Sequence, residues 1–392
     1  MGRTLSAIPL IIVFTLMGTT CTSEGAWDTI RRQQSLVSQN LIWRQRVPLT
    51  LDNSFPASDE LVDFPVLVLL DDTNIDMDLF APGGRDIRFH AEPIDGRMPH
   101  EMPALPHEVE HWDPDGVSAV WVRVPRIPAG SPDTRIWLYL DNPTATDRQR
   151  PADVWSNGYV GVWHLNEAGP PYRDSGPNAL HGTTWIGGYT ASERVEGPAY
   201  GYAQDFRGPA PRDRGIVISA AAPIDDISPF TWSLLARRQP GQVGNRLISK
   251  DHRDWWIDNG PTLHFQVNHD PQPEKLFRRS DVLPAFGSWD SFAVSWDGGI
   301  DPSGIRIFVN GSPSIGTSGV PTSGGERRSD AGIPLIIGNA AFGSPPTNAL
   351  EGAISSVQLS SVARSSGWIR ATHRGFTGSF VSIGAPEAVQ YR

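Results

Sequence analysis

The chain has 392 residues, a formal net charge of -10 and 39% hydrophobic residues, which is enough for two or three domains with cores of their own. The 39 Gly and 35 Pro argue against a helix-rich fold, and the 14 Trp with ordinary aliphatic content exclude intrinsic disorder. Because the chain is acidic and has no basic stripe, nucleic acid is not expected to be a partner.

The N-terminus indicates export. The apolar run 7–17 spans about half of a ~30 Å hydrocarbon core, so it predicts a signal peptide and not a membrane span. The only cysteine, Cys21, follows this run directly and has no partner for an internal disulfide. Its position resembles that of the lipidated cysteine of bacterial lipoproteins. The resemblance implies a signal peptide over 1–21, a lipid anchor at Cys21 and a place in the cell envelope, at the outer membrane or cell surface. The alternative is cleavage nearby, removal of Cys21 and secretion.

Residues 22–41 are polar and are predicted to form a tether. From 42 to 150 the sequence consists of short runs of strand-forming residues separated by Pro, Gly, Asp and Asn. In 120–124, valines alternate with Trp121 and Arg123, the period of two that is typical of a half-buried strand. This block therefore predicts a small antiparallel β-sandwich, with strands at 46–51, 65–70, 86–90, 119–125 and 135–140.

The second block, residues 151–392, has about ten strand-like runs, which suit one large sandwich or jelly roll. A single short helix is predicted over 365–372. The predicted fold class is therefore all-β, a small sandwich followed by a larger jelly roll. The predicted strands of this block are 159–164, 215–219, 231–236, 246–250, 255–258, 263–267, 291–296, 305–310, 334–338 and 353–359.

Both blocks resemble known modules. Residues 43–150 resemble the bacterial domain of unknown function DUF2341, in the segments 43–44, 61–68, 86–89, 106–114, 119–122 and 141–143. Residues 155–374 resemble a laminin-G-like, concanavalin A-like lectin/glucanase jelly roll, in the segments 161–167, 174–178, 230–233, 307–311 and 336–339. The resemblance implies the architecture and leaves the function open, because these folds host many roles.

The segment 107–111 reads His-Glu-Val-Glu-His and satisfies the H-E-x-x-H pattern, in which zinc proteases place both histidines on one helical turn. Pro106 precedes it and a Trp-Asp-Pro-Asp-Gly run follows it, which argues against a multi-turn helix. The resemblance to DUF2341 implies a strand, on which His107 and His111 would lie roughly 13 Å apart, too far to share a zinc ion. We interpret the match as coincidental and expect no catalytic residue.

We expect no cofactor other than a structural calcium ion. The resemblance to laminin-G-like folds, which often hold Ca²⁺ at a sheet rim, implies Asp174 and Asn178 as candidate ligands, because oxygen donors suit this ion. The same two residues also form turns without a metal.

The tryptophans suggest sugar binding. Adjacent strand residues face opposite sides of a sheet, so one of Trp255 and Trp256 is predicted to be exposed and able to stack on a sugar. Other tryptophans lie at family-typical positions and are predicted to pack in the cores: Trp43, Trp121, Trp163, Trp232 and Trp289.

The leading functional prediction is a non-catalytic envelope or surface protein that binds a glycan or an extracellular protein and touches a membrane only through its lipid anchor. An enzyme acting on polysaccharides with a cryptic carboxylate pair is one alternative. A passive structural spacer at the surface is the other.

Overall fold

The computed structural model describes residues 42–93, 97–184, 190–208, 213–240, 246–250, 255–259, 262–271, 274–281, 286–320, 325–340 and 348–391. Within them, Trp43–Val389 form one compact unit. The named strands in these ranges pair in antiparallel fashion throughout, which confirms the predicted all-β fold class. None of the helices in the described ranges is long and apolar enough to cross a membrane.

The strands of the first block are β1 (Gln45–Leu51), β2 (Leu61–Leu70), β3 (Arg88–Ala91), β4 (Ala104–Leu105), β5 (His107–His111), β6 (Ser118–Ile127) and β7 (Thr134–Leu140). The second block contains helix α1 (Pro151–Val154), then β8 (Tyr159–Trp163), β9 (Gly182–Thr183), β10 (Glu193–Glu196), β11 (Tyr202–Asp205), β12 (Ile216–Ile218), β13 (Phe230–Arg238), β14 (Arg246–Ser249), β15 (Trp255–Asn259), β16 (Leu263–Asn268), β17 (Lys275–Arg279), β18 (Trp289–Trp296), β19 (Ile305–Val309), β20 (Ser312–Ser314), β21 (Ser318–Gly319), β22 (Leu335–Ile337), β23 (Gly352–Ser360), helix α2 (Ser366–Phe376), β24 (Val381–Ile383) and β25 (Glu387–Ala388). Short 3-10 helices lie at Met77–Leu79, Pro82–Gly84, Pro99–Glu101, Ala222–Ile224 and Pro302–Gly304.

The first sandwich packs a three-stranded sheet, in the order β2-β6-β5, against a larger sheet, in the order β24-β1-β7-β3-β4, with β25 also paired to β1. Strands β2 and β6 pair from Leu61 opposite Ile127 to Leu70 opposite Ser118. All three of these aliphatic side chains are fully buried. Full burial of one such side chain contributes about 1.5–3 kcal/mol, so alternating valines and leucines suffice to hold this face on the core.

The second sandwich is a jelly roll of two eight-stranded sheets. One has the order β10-β11-β23-β13-β18-β19-β20 with β8 also paired to β23, and the other has the order β21-β17-β16-β15-β14-β22-β12-β9. Trp163 and Trp232 are fully buried between the sheets, and Trp121 is buried in the first sandwich, as predicted. Trp43 and Trp289 are half-buried.

The C-terminal segment returns to the first sandwich. Helix α2 begins after Ser365, whose hydroxyl accepts a hydrogen bond from the Trp368 amide. The indole of Trp368 packs edge-on against Phe64 of β2, with ring centroids 4.7 Å apart. Strand β24 then extends the larger sheet by pairing Ile383 with Leu49 of β1. The predicted second sandwich, residues 151–392, does not include this return, because pairing with a distant strand leaves no local sequence pattern.

Aromatic side chains connect the two sandwiches. Trp155, directly after α1, packs on Trp121 of β6 with ring centroids 4.9 Å apart and on Tyr159 of β8 at 5.0 Å. Trp155 is fully buried and belongs to the same hydrophobic cluster as the core of the first sandwich. The two sandwiches therefore share a buried aromatic contact.

A fully buried lysine forms ion pairs with two aspartates that lie elsewhere in the sequence of the second sandwich. The Nζ of Lys250, next to β14, lies 2.7 Å from Oδ1 of Asp330 and 2.9 Å from Oδ1 of Asp225, and the side chains of Lys250 and Asp330 have no exposed surface. Arg327 lies 3.2 Å from the second oxygen of Asp330, and the backbone amide of Asp226 donates to the first. The buried charges are paired on every side, which such burial requires.

Replacing Lys250 with Ala should lower the free energy of unfolding by about 3–5 kcal/mol, because it leaves buried carboxylates without their central cation. Urea unfolding measures the change. The other lysine of the chain provides the control: Lys275→Ala, at an exposed position of β17, should change stability by less than about 0.5 kcal/mol. Equal small effects of both substitutions would contradict a structural role for the buried ion pair.

Candidate functional site

The segment 107–111 forms the edge strand β5, which confirms the strand implied by the resemblance. Glu108 lies opposite Trp121 of β6, and the register shifts between Val109 and His111, so that Glu110 has no partner residue. This irregularity is a β-bulge, a feature that re-aims a side chain next to sites in many sheets. Here the side chains of Glu108 and Glu110 meet at one histidine.

That histidine, His164, comes from the second sandwich. It directly follows β8, and the next residue, Leu165, has a φ of 64°, in the left-handed region. The side-chain amide of Gln204 donates to the carbonyl oxygens of Leu165 and Glu167 at 3.1 and 2.6 Å. A non-glycine residue keeps such a backbone only where its surroundings fix it, and this turn places His164 against β5.

The His164 ring lies between the two carboxylates. Its Nε2 is 3.3 Å from Oε2 of Glu108, and its Nδ1 is 3.2 Å from Oε2 of Glu110. The N–H directions do not meet hydrogen-bond geometry, so both contacts are ion pairs. The three side chains are 7%, 1% and 9% exposed for Glu108, Glu110 and His164, respectively. We call these three residues the junction cluster.

Neutral donors occupy the remaining oxygens of the junction cluster. Glu108 accepts hydrogen bonds from the indole of Trp155 at 2.7 Å and from the hydroxyl of Ser175 at 2.5 Å. Glu110 accepts from the indole of Trp121 at 2.6 Å, and from the amide of Asn166 at 3.2 Å. The hydroxyl of Tyr200 donates to the same carboxylate at 3.4 Å. Both carboxylates are therefore fully provided with donors, drawn from both sandwiches.

The charges of the cluster support one another. Burial lowers the pKa of His164, but Glu110 and Glu108 outweigh burial and raise that pKa to about 9. Burial also acts to raise the pKa of Glu108, yet His164 and the hydrogen bonds from Ser175 and Trp155 bring it below its usual range. For Glu110, burial prevails over His164 and the pKa is raised. At neutral pH the ring is therefore an imidazolium, and Glu108 beside it is a carboxylate.

A pocket of about 640 Å³ adjoins the junction cluster. Its floor is formed by the cluster with Ser175, and its walls combine the end of the first block with the turn region between β8 and β9. The wall residues include Gln149, Pro151, Ala152, Asn166, Glu167, Arg173 and His181. Most of the lining residues have polar side chains, and the lining also exposes apolar surface, a combination that suits the binding of a small molecule with hydroxyl groups and apolar faces.

The two predicted calcium ligands lie next to this pocket. Oδ1 of Asp174 accepts from the amides of Val162 and Gly176 at 2.8 and 2.7 Å, and Oδ2 accepts from the amide of Leu180 at 2.8 Å. Asn178 is exposed, and its amide donates to a backbone carbonyl of β8. Asp174 thus holds a turn through three backbone amides. Calcium binding stays a prediction, which melting temperatures in calcium and in chelator would test.

Within the described ranges, no group of three or more His, Cys, Asp and Glu side chains is arranged to hold a metal ion. Trp255 and Trp256 lie in β15, opposite Val267 and Gln266 of β16, but their side chains are outside what the structure describes. Cys21 also lies outside the described residues. The roles assigned to these three residues stay predictions.

The junction cluster was not predicted from the sequence, where the 107–111 segment was interpreted only as a coincidental match to a zinc motif. The available signal was the pair Glu108 and Glu110 at alternate positions of a strand. Carboxylates on the buried side of a sheet need a cation, and a histidine at the end of β8 was one candidate.

The free energy of unfolding should decrease at alkaline pH, because His164 loses its proton there. Its folded pKa of about 9 lies above the ordinary 6.5, so the stabilisation is complete below pH 6.5 and is lost as the pH rises towards 9. We expect the free energy of unfolding in urea to fall by about 1–3 kcal/mol between these two pH values. His164→Gln should be less stable at neutral pH and should lack this step. An equal loss in both proteins would show that another group titrates.

Comparison with known proteins agrees with this architecture. Residues 83–161 match the model of DUF2341, a domain of unknown function, and residues 213–370 match the model of the concanavalin A-like lectin/glucanases superfamily. The first match extends beyond the boundary at 150 that we predicted and includes all of β5 and most of β8. A search of curated proteins finds no match.

Among solved structures, the binding domain of Paraclostridial mosquitocidal protein 1 is 13% identical with a TM-score of 0.43, covering 57% of this chain and 53% of its own. Domain 4 of AbnA, a GH43 extracellular arabinanase from Geobacillus stearothermophilus, solved with arabinotriose, is 18% identical with a TM-score of 0.39, covering 54% and 96%. The binding domain of botulinum neurotoxin DC in complex with SialylT is 9% identical with a TM-score of 0.40, covering 56% and 51%. The chain thus spans about half the length of the first and third of these structures, and at such TM-scores the similarities carry no functional argument. The protein contains a DUF2341 domain followed by a domain of the concanavalin A-like lectin/glucanases superfamily.

Proposed function

We propose that the protein is a non-catalytic binding protein whose ligand is a glycan, and that the pocket at the junction of the two sandwiches receives it. The single observation that carries this proposal is the pocket of about 640 Å³, most of whose lining residues have polar side chains. Binding sites for small ligands commonly measure ~300–1,000 Å³. A sugar residue offers hydroxyl groups that both donate and accept hydrogen bonds, which matches walls made of amide, carboxylate and guanidinium groups.

The ion pairs and hydrogen bonds of the junction cluster, which forms the floor of the pocket, support ligand binding without catalytic turnover. A general acid or base must exchange a proton with the substrate, and a nucleophile needs a free lone pair. In the junction cluster, both carboxylates are paired with His164 and accept further hydrogen bonds from indole, hydroxyl or amide groups. Proton exchange between either carboxylate and a substrate would require these contacts to break.

A second candidate is an enzyme that cleaves polysaccharides, with Glu108 and Glu110 as its carboxylate pair. It is favoured by one observation: the pKa of Glu108 is lowered and that of Glu110 is raised. Two carboxyl groups whose surroundings separate their pKa values are the pattern of an acid and base pair. In this case Glu110 would be the acid and Glu108 the base.

A panel of oligosaccharides and envelope proteins should contain a glycan bound by the wild-type protein with a micromolar Kd and without release of products. Ala152→Trp places a large side chain on the exposed rim of the pocket and should abolish this binding. Ala129→Trp, at an exposed loop position, is the matched control and should bind as the wild type does.

Other results of the same panel would support one of the alternative functions. Product release by the wild type, abolished by Glu108→Gln while circular dichroism shows that the variant is still folded, would establish the enzyme and overturn the proposal. Binding to a protein alone would make the partner a protein. A silent panel, with truncation that changes only surface assembly, would favour the passive spacer.

We further propose that the protein is displayed on the cell envelope through a lipid on Cys21, a proposal supported by the apolar run before this only cysteine. Metabolic labelling with a radioactive fatty acid should mark the wild-type protein and leave Cys21→Ser unlabelled. Equal labelling of the two proteins, or none, would contradict the anchor. A single acyl chain holds a protein only marginally on a membrane, so the extraction of the labelled protein by salt and detergent would show how firmly it is held.

A further inference from the structure

Resting on the glycan-binding function proposed above, we infer that the pocket takes a neutral sugar residue and orients it with Glu167, Arg173 and His181. All three residues line the pocket and belong to the turn region between β8 and β9. Each carries a polar group that its protein neighbours leave available to a ligand.

Glu167 supplies the acceptor. Its Oε1 accepts a hydrogen bond from the backbone amide of Arg173 at 2.7 Å. Its Oε2 is buried, and within the described part of the chain it has no hydrogen-bond partner. A buried oxygen without a donor is costly, and the terminal torsion of a glutamate is broad, so a modest rotation can present this oxygen to a ligand hydroxyl.

His181 and Arg173 supply the donors. Nδ1 of His181 accepts a hydrogen bond from the backbone amide of Asp174 at 3.0 Å, so the ring proton of the neutral form is on Nε2. The His181 side chain is exposed, and Nε2 is available as a donor at the mouth of the pocket. The guanidinium of Arg173 is also exposed, and across the described ranges it makes no ion pair or side-chain hydrogen bond.

The turn region that holds these groups is rigid. Asp174 fixes it through three backbone amides, and Gln204 fixes its start through the carbonyl oxygens of Leu165 and Glu167. A binding site whose polar groups are already in place loses little entropy when the ligand enters.

The charge of the lining selects against acidic sugars. The junction cluster contributes the carboxylate of Glu108 and the imidazolium of His164, and Glu167 and Asp174 add two further carboxylates. Arg173 is the one further cation, so negative charge is in excess. A sugar carboxylate, sulfate or phosphate would meet this excess in a partly enclosed pocket, where like charges repel more strongly than in water. A neutral sugar uses the same acceptors and donors without that repulsion, whereas an ammonium group only donates and would leave the donors of Arg173 and His181 without an acceptor.

The test is isothermal titration of the full chain with three families of oligosaccharide: neutral, amino-bearing and acidic. We expect the neutral family to bind most tightly. Glu167→Gln should weaken the Kd by about 10-fold to 100-fold, because a hydrogen bond to a charged acceptor becomes one to a neutral amide and the pocket loses an acceptor site. Arg173→Ala should weaken binding as well.

The matched control is Glu196→Gln, an exposed carboxylate on β10 away from the pocket, which should leave the Kd unchanged. Circular dichroism and melting temperature show that each variant remains folded. Tightest binding of the acidic family, or of the amino-bearing family, would overturn the assignment of a neutral sugar while the glycan-binding function stood. Unchanged affinity of Glu167→Gln for the neutral family would overturn the role of this residue. If none of the three families binds, both the glycan-binding function and the preference for a neutral sugar are contradicted.

Discussion

The contact of one histidine with two glutamates is the interaction on which the arrangement of this protein depends. Glu108 and Glu110 belong to the first sandwich, His164 belongs to the second, and the ring lies 3.3 and 3.2 Å from the two carboxylates. Because the charges come from different blocks, neither block can satisfy them alone. The junction cluster therefore makes the two domains one unit and also provides the floor of the pocket.

Burial of ionised groups is expensive and is tolerated only when opposite charges are paired and the carboxyl oxygens accept hydrogen bonds. Besides filling volume, two tryptophans also donate hydrogen bonds to these groups. Trp121 and Trp155 pack on one another and each donates its indole hydrogen to a carboxylate of the junction cluster. A phenylalanine would fill much of the same space but would leave a buried oxygen without its donor. The return of α2 to the first sandwich adds Phe376 to the same aromatic contact, at 6.1 Å from Trp121.

The sequence predicted the longer strands well because their physical cause is local, whereas shorter strands such as β10, β17 and β24 were not predicted. Alternating apolar residues as in β6, and Pro, Gly or Asn between the runs, are properties of neighbouring residues, and helix α2 was visible for the same reason. The junction cluster could not be predicted in this way, since Glu108 and His164 are far apart in the chain and their pairing depends on how two sandwiches pack. The His-Glu-Val-Glu-His pattern was interpreted correctly as a strand, yet only its histidines were considered, and its glutamates are the residues that face the site. The return of 366–388 to the first sandwich was not predicted for a similar reason. The sequence of a strand does not encode which distant strand it will pair with.

A double-mutant cycle between Glu108 and His164 tests this account most directly. Glu108→Gln, His164→Gln and the double variant would be compared with the wild type by urea unfolding at neutral pH. The account predicts a coupling energy of about 1.5–3 kcal/mol, as for residues in one buried charge network, and a coupling near zero for the same cycle between His164 and exposed Glu196. Additive effects of Glu108→Gln and His164→Gln would contradict the claim that their contact holds the two sandwiches together.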